Sequence, residues 1–142
     1  MLCEELMTSE VEVLDVGTSV REAARRMRDL NLGFLPIVDD AQQLVGVLTD
    51  RDIALRVVAD DRPLDIPVDE VMTEEVISCR PDDDVERAEE LMRVNQKARL
   101  VCLDEGGRVA GVLSLADIAQ YEDETRAGSV IADVTERETD VH

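Results

Sequence analysis

Short apolar runs and amphipathic segments follow one another along this chain in an order that occurs twice. In the first half, VEVL (residues 11–14) alternates apolar and polar positions, as a short strand does. TSVREAARRMRDL (residues 18–30) places its apolar residues on one helical stripe, and Ser19 and Glu22 have the spacing of a helix N-cap pair. GFLPIVD and QLVGVLT are apolar runs of strand length around the polar turn DDAQQ, and DRDIALRVV predicts a closing helix.

The second half repeats this order with EVIS, DDVERAEELMRV, ARLVCLD, RVAGVLS and LADIAQY, and its turn DEGGR is typical of a tight hairpin. Between the halves, DDRPLDIPVDEVM contains Pro63 and Pro67, which indicate a connection with a short helical turn into Met72. Each half is therefore predicted to form a strand, a helix, two strands and a helix.

The two halves are a tandem repeat. A shift of 65 residues places GVLTDRDIA on GVLSLADIA and Met7-Thr8 on Met72-Thr73, and about a third of the positions match from Leu6 to Ala54 without a gap. Repeated units usually bury their apolar faces against one another. We therefore expect an α/β fold of two units packed sheet to sheet about a pseudo-twofold axis. The predicted boundaries are 1–64, 65–121 and an acidic, frayed tail at 122–142.

Charge and composition exclude several classes of function. The net charge is −19 and only 1% of residues are aromatic, which argues against binding to nucleic acid or an anionic membrane. No apolar run reaches the ~20 residues of a membrane span, and no signal peptide is recognisable. Lys97 is the only lysine among 15 basic residues. Such an acidic, lysine-poor chain suits a cytoplasm of very high salt, and we expect a cytoplasmic, halophilic protein.

Catalysis and metal binding are not expected. The three cysteines (Cys3, Cys79 and Cys102) are far apart without CxxC spacing, and the only histidine is His142. This nearly excludes Ser–His or Cys–His catalysis and histidine-rich metal sites. Buried apolar packing is the commoner role of such cysteines, although Cys79 would lie near a predicted cleft.

The repeated junction has two interpretations. Thr49 and Asp52, like Ser114 and Asp117, combine a hydroxyl and a carboxylate at a strand-to-helix turn, which is a suitable arrangement for ribose phosphate. Gly46 and Gly111 would allow close approach of the backbone to such a ligand. The same spacing fits a capping box that only satisfies helix-end donors, and spacing alone leaves both interpretations open.

The stretches MTSEVEVL, SVREAARRM, GFLPIVDD and LVGVLTDRDI, followed by VMTEEVIS, DVERAEELM, ARLVCLDE and RVAGVLSLADI, resemble a pair of CBS domains, known as a Bateman module. The resemblance covers roughly residues 4 to 120. It implies two βαββα units packed through their sheets, commonly dimerising into a flat disk. It also implies regulatory binding of AMP, ADP, ATP, S-adenosylmethionine or a related nucleotide in two clefts between the repeats, without catalysis or a required cofactor.

The resemblance also implies roles for individual residues. Asp52 and Asp117 would accept the ribose hydroxyls, Thr49 and Ser114 would contact ribose or phosphate, and the strand ends Val13-Leu14 and Ser78-Cys79 would line the adenine pockets. A base before the second strand often reaches phosphate in the other repeat's cleft, and this position holds Phe34 in one copy and Arg99 in the other.

The two clefts are therefore expected to be unequal. Arg99, with Arg51 nearby, would favour phosphate in the cleft of Thr49 and Asp52. LVCL and SLAD depart from the family's usual pattern, so the Asp117 cleft is expected to bind a ligand weakly or to be empty. The module would form a homodimer and signal to an unidentified regulated protein. The alternative is a ligand-free interaction scaffold in which the hydroxyl–aspartate pairs only cap helices.

Overall fold

The elements of the two repeats form in the predicted order in the computed structural model, which describes residues 1–125, and a short helix that was not predicted precedes them. The helices are α1 (Cys3–Leu6), α2 (Val20–Leu30), α3 (Asp50–Ile53), α4 (Val85–Asn95) and α5 (Leu115–Thr125). The strands are β1 (Leu14–Asp15), β2 (Phe34–Val38), β3 (Leu44–Thr49), β4 (Ser78–Cys79), β5 (Arg99–Leu103) and β6 (Val109–Ser114). The predicted tail begins inside α5, and residues 126–142 lie outside the described residues.

Two three-stranded sheets of the same topology are present, with the orders β1-β2-β3 and β4-β5-β6. In each sheet the first strand is parallel to the second, and the second is antiparallel to the third. Phe34 lies opposite Thr49 in the first sheet, and Arg99 lies opposite Ser114 in the second. The predicted mixed α/β class is thus confirmed.

The first strand of each repeat is displaced from its predicted position. VEVL predicted a strand at residues 11–14, whereas β1 comprises only Leu14–Asp15. In the second repeat, the Val101 N–H donates to the Ile77 carbonyl (3.3 Å). The equivalent residue in the first repeat is Pro36, which has no N–H to donate, so pairing cannot extend to Glu12.

Helix ends follow local capping rules. The predicted N-cap Ser19 accepts a hydrogen bond from the Glu22 N–H (3.1 Å), and Asp84 caps α4 through the Glu86 N–H (2.9 Å). The closing helix of the first repeat differs from prediction because α3 continues as a π-helical turn, Ala54–Val58. In this turn Val57 is fully buried, and Arg56 donates to the Met72 carbonyl (2.9 Å).

The residues form two compact units whose boundaries differ from those of the sequence repeats. One unit is Glu12–Val76, and the other combines Met1–Val11 with the chain from Ile77 onward. The reason is a backbone bridge in each unit, Val47 with Thr73 in one and Thr8 with Val112 in the other. The segment before each repeat therefore packs on the β-hairpin of the other repeat.

Each unit contains its own buried apolar cluster. In the Glu12–Val76 unit the cluster consists of Leu14, Val20, Ala23, Met27, Leu35, Ile37, Leu48, Val57, Val68 and Val71. In the other unit it consists of Cys3, Cys79, Val85, Ala88, Met92, Leu100, Cys102, Leu113, Leu115 and Ile118. None of the helices in residues 1–125 combines the length and the apolar character that crossing a membrane requires.

Candidate ligand-binding site

The first hydroxyl–aspartate junction forms a reciprocal cap. The Thr49 N–H donates to Asp52 Oδ2 (3.0 Å), and the Asp52 N–H donates to Thr49 Oγ1 (3.1 Å). Thr49 is the last residue of β3, and its extended backbone directs both groups toward the first turn of α3. The capping interpretation of the sequence is therefore correct for this copy, although capping does not exclude a ligand.

Asp52 has further contacts within its unit. The Thr73 hydroxyl donates to Asp52 Oδ1 (3.0 Å) and lies 3.3 Å from Oδ2, while Arg56 Nε is 3.9 Å from Oδ1. Only 7% of Asp52 is exposed, and it is the one charged residue among the buried side chains of residues 1–125. Both carboxylate oxygens therefore already accept a hydrogen bond, and a ribose hydroxyl would share the carboxylate with Thr49 and Thr73.

The second junction has the same cap but fewer partners. The Ser114 N–H donates to Asp117 Oδ2 (3.3 Å), and the Asp117 N–H donates to Ser114 Oγ (3.0 Å). Position 121, which corresponds to Arg56, holds a tyrosine and supplies no cation. Asp117 is half-buried, and its Oδ1 has no hydrogen-bond partner among residues 1–125. Asp117 is thus the more available of the two carboxylates.

The residues predicted around Asp52 lie in its own unit, apart from Arg99. Arg51 is exposed beside Asp52 in α3. Val13 is half-buried, and its carbonyl accepts a hydrogen bond from Arg26 (3.5 Å). Leu14 is fully buried, and no part of it is exposed in this structure.

Ser78, Cys79 and Arg99 lie in the same unit as Ser114 and Asp117. Arg99 is exposed at the start of β5, directly opposite Ser114. The predicted association of Arg99 with the Asp52 cleft joins residues of two units, and it stays a prediction.

Cys79 belongs to a row of three buried thiols. Its Sγ lies 3.6 Å from Cys3 Sγ and 3.5 Å from Cys102 Sγ, and 5% of the residue is exposed. The hydrogen bond with Cys102 and burial raise the pKa of the Cys79 thiol, and burial raises the pKa of Cys3 to about 12. Neutral, buried thiols are poor nucleophiles, so the geometry favours a packing role. Within residues 1–125, no three Cys, His, Asp or Glu side chains are arranged to hold a metal ion.

The glycines of the two junctions serve packing within the protein, which corrects the expectation that they admit a ligand. A Cβ on Gly46 would lie 2.6 Å from Met72 Sδ and 2.9 Å from the Thr73 carbonyl oxygen. At Gly111 it would lie 2.6 Å from Met7 Sδ. The space beside each glycine is therefore filled by the Met-Thr segment.

Sequence reasoning missed Thr73 and Arg56 as partners of Asp52. The repeat alignment did show a signal for Thr73, since Met72-Thr73 falls on Met7-Thr8. The signal for Arg56 was its position four residues after Asp52 in the predicted closing helix, the spacing of an i, i+4 ion pair.

Comparison with known families gives a direct result for both repeats. The family model described as CBS domain matches residues 3–59 and 68–124. The chain belongs to the CBS-domain family. The resemblance inferred from the sequence is thereby confirmed.

Relatives of similar length include two proteins of Bacillus subtilis (strain 168). The CBS domain-containing protein YhcV is 37% identical over 93% of this chain and 94% of its own length. The uncharacterised protein YlbB is 35% identical, over 94% of this chain and 90% of its own length. An inosine-5'-monophosphate dehydrogenase of Methanocaldococcus jannaschii is 32% identical, but the match covers only 22% of that enzyme. That match therefore does not extend to most of the enzyme.

Solved structures share the fold. The CBS domain pair of protein MJ0100, solved in complex with 5'-methylthioadenosine and S-adenosyl-L-methionine, aligns with a TM-score of 0.79 and 26% identity. The alignment covers 89% of this chain and 98% of that one. The two three-stranded sheets with their helices are thus the architecture of a CBS domain pair.

Proposed function

We propose that this CBS-domain pair is a regulatory module that binds an adenosyl ligand and transmits its presence to a partner protein. The observation that carries the proposal is the half-buried Asp117, whose Oδ1 accepts no hydrogen bond from residues 1–125 while Ser114 holds the carboxylate in place. Such a carboxylate can accept hydrogen bonds from a ribose diol. The similar CBS pair of protein MJ0100, which was crystallised with two adenosyl compounds, supports this ligand class.

The two carboxylates differ in what they offer a ligand. At Asp52, the ligand would share the carboxylate with the Thr73 hydroxyl, and Arg51 and the predicted contribution of Arg99 favour a phosphate group. At Asp117, the carboxylate is available, and the position that corresponds to Arg99 holds Phe34. We therefore expect a nucleotide with phosphate to prefer Asp52, and an uncharged or sulfonium adenosyl compound to be accepted at Asp117.

The remaining predicted contacts follow from the strands. The backbones of Val13-Leu14 and Ser78-Cys79 are the proposed walls of the adenine pockets, with Thr49 and Ser114 toward ribose or phosphate. The ligand would act as a regulator rather than as a catalytic cofactor. A regulatory effect requires that the ligand binds two states of the protein with different affinities. We propose that these states belong to a cytoplasmic homodimer and that a partner protein distinguishes them.

Calorimetric titration in molar KCl tests the proposal. The ligands are AMP, ATP, S-adenosylmethionine, 5'-methylthioadenosine and NAD, and the variants are Asp52→Ala and Asp117→Ala. We expect micromolar binding of at least one ligand, and loss of that binding in at least one variant. The matched control is Ser19→Ala, which removes the N-cap of α2 at a cost of about 1 kcal/mol in unfolding free energy and leaves the ligand site intact.

Two results would favour the ligand-free scaffold. One is the absence of binding heat from the folded wild-type protein across all five ligands. The other is equal binding by wild type and both aspartate variants, with a stability loss like that of Ser19→Ala. Either result would mean that both aspartates only cap their helices.

A further inference from the structure

The two ribose-binding carboxylates of the proposed sites lie in different charge environments. Arg56 Nε lies 3.9 Å from Asp52 Oδ1, four residues further along the closing helix of the first repeat. The 65-residue shift places Tyr121 on Arg56, so the corresponding position after Asp117 carries no charge. Residues 50–59 have two acidic and two basic side chains, whereas residues 115–124 have four acidic side chains and no basic one. Charge is therefore balanced around Asp52 and strongly negative around Asp117.

Hydrogen bonds hold the Arg56 guanidinium beside Asp52. Its Nη1 group donates to the Met72 carbonyl (2.9 Å) and to the Val71 carbonyl (3.2 Å). These carbonyls belong to the segment that leads into Thr73, whose hydroxyl donates to Asp52 Oδ1 (3.0 Å). The position of the cation is thus set by the backbone of this segment as well as by the carboxylate.

Part of the Arg56 guanidinium is available to a ligand. Half of the side chain (50%) is exposed, and its Nη2 group forms no hydrogen bond with residues 1–125. A guanidinium keeps its positive charge at any physiological pH, and its N–H donors suit the oxygens of a phosphate group. Arg56 can therefore act on a bound ligand through its charge and through donors that the protein does not use.

We propose that Arg56 determines which charge of adenosyl ligand the Asp52 cleft accepts, and that it selects a phosphate-bearing ligand over an uncharged or sulfonium one. This inference rests on the proposed function, because it assigns a selectivity to that ligand site. A carboxylate without a nearby cation repels phosphate and attracts a sulfonium group. With Arg56 beside it, Asp52 keeps its acceptor oxygens for ribose while its charge is balanced. At Asp117, where Tyr121 replaces the arginine, the uncompensated charge favours the opposite choice.

Paired substitutions separate the charge of Arg56 from its hydrogen bonds. Glutamine and lysine both retain an N–H donor for the Met72 carbonyl, but only lysine retains the charge. The variants are made in the Asp117→Ala chain, so that a ligand can use only the Asp52 cleft, and Arg51 and Arg99 are present throughout. The chains are titrated calorimetrically in molar KCl with AMP and with 5'-methylthioadenosine. The two probes share the adenine and the ribose diol and differ in the phosphate group.

The expected result is a change in the preference between the two probes. Arg56→Gln should bind AMP at least roughly tenfold more weakly than the Asp117→Ala parent, and 5'-methylthioadenosine within about twofold of it. Arg56→Lys should keep both affinities within about threefold of the parent. In the Asp52→Ala chain, Tyr121→Arg should bind AMP more tightly than Tyr121→Gln, which changes the same side chain without adding a charge.

The matched control is Arg62→Gln in the Asp117→Ala chain. It removes one positive charge from the same unit, but Arg62 pairs with Glu70 (2.7 Å) and has no contact with Asp52. Its affinity for AMP should stay within about twofold of the parent. Circular dichroism establishes that every variant is folded.

Several results would overturn the role of Arg56 and leave the proposed function standing. These are equal weakening of both probes in Arg56→Gln, an equal loss of AMP affinity in Arg56→Lys or Arg62→Gln, and no gain of AMP affinity in Tyr121→Arg over Tyr121→Gln. Binding by wild type that is absent from the Asp117→Ala chain would also overturn it, because the Asp52 cleft then takes no ligand. Binding of neither probe by folded wild type would instead overturn the proposed function, and this inference with it.

Discussion

Gln42 and Gly107 occupy equivalent turn positions in the two β-hairpins, but only one of the two residue types suits the backbone conformation there. Both have a positive φ, 63° at Gln42 and 78° at Gly107. Each N–H donates to the carbonyl of an aspartate three residues earlier, Asp39 (2.9 Å) or Asp104 (3.1 Å). A glycine adopts this backbone region without cost, whereas a residue with a Cβ is strained there by roughly 1–2 kcal/mol.

We therefore predict that Gln42→Gly stabilises the protein by about 1 kcal/mol, after the added freedom of the unfolded chain is subtracted. The reciprocal change Gly107→Gln is expected to destabilise it by about the same amount. Urea unfolding followed by circular dichroism measures both free energies. A loss of stability in Gln42→Gly would show that the glutamine side chain contributes more than its backbone strain costs.

At the residue scale, the sequence predicted the local capping contact of Asp52 and missed its distant contact with Thr73. Thr49 and Asp52 are three residues apart, so their capping contact follows from helix geometry. The contact of Asp52 with Thr73 joins residues 21 positions apart. This contact forms only because the segment between the repeats folds back, so that Thr73 pairs with Val47. The periodicity of helices and strands does not predict such a pairing.

At the scale of elements, periodicity predicted every long helix and strand, and the deviations have local causes. α2 was predicted because a capping residue precedes a clear apolar stripe, and α4 was predicted because its segment repeats that pattern. β1 and β4 were misplaced because VEVL and EVIS alternate as strands do, whereas only the last residue of each pattern pairs with the following strand. The π-helical turn after α3 was missed because its residues have the periodicity of an α-helix.

The close contact of β3 with the Met72-Thr73 segment gives a prediction at this scale. In Gly46→Ala the new methyl group would lie within 3 Å of both Met72 Sδ and the Thr73 carbonyl oxygen. Met72 and the backbone of the segment would have to shift, and overpacking of this kind costs about 1–3 kcal/mol. The shift would also lengthen the hydrogen bond between Thr73 and Asp52.

Thermal unfolding measures this loss, with Gly17→Ala as the matched control. A Cβ on Gly17 has no neighbour within 4 Å, so this variant should unfold at or near the wild-type temperature. Equal melting temperatures for Gly46→Ala and Gly17→Ala would mean that the Met72-Thr73 segment shifts without a loss of stability. In that case the glycine would be explained by something other than packing.

At the scale of the whole molecule, the repeats and the compact units are offset from each other. The sequence shows two successive repeats, but Met1–Val11 packs with the residues that follow Ile77. Cys3 is fully buried in the core of that unit, and Thr8 pairs with Val112. Self-alignment reveals which residues are equivalent, but it cannot reveal which copy a shared segment packs against. The offset therefore required the structure.

The net charge of −19 gives the last prediction. Thirty-four acidic residues face only 15 basic ones, so the folded chain concentrates like charges that the unfolded chain keeps apart. Added KCl screens this repulsion, since the Debye length falls from about 10 Å at 0.1 M to about 3 Å at 1 M. We expect the melting temperature to rise steeply over this interval and to level off above it.

Neutralising exposed acidic residues should reduce the rise of the melting temperature with KCl concentration. Asp40, Asp60 and Asp65 are exposed, and the triple variant with asparagine at these positions lowers the negative charge without altering a buried group. It should therefore melt higher than wild type at 0.1 M KCl, and the two curves should converge near 1 M as screening removes the difference. A constant difference at all KCl concentrations would assign the effect to local contacts. A melting temperature of wild type that does not change with KCl would refute the halophilic interpretation of the composition, because repulsion would then contribute nothing to stability.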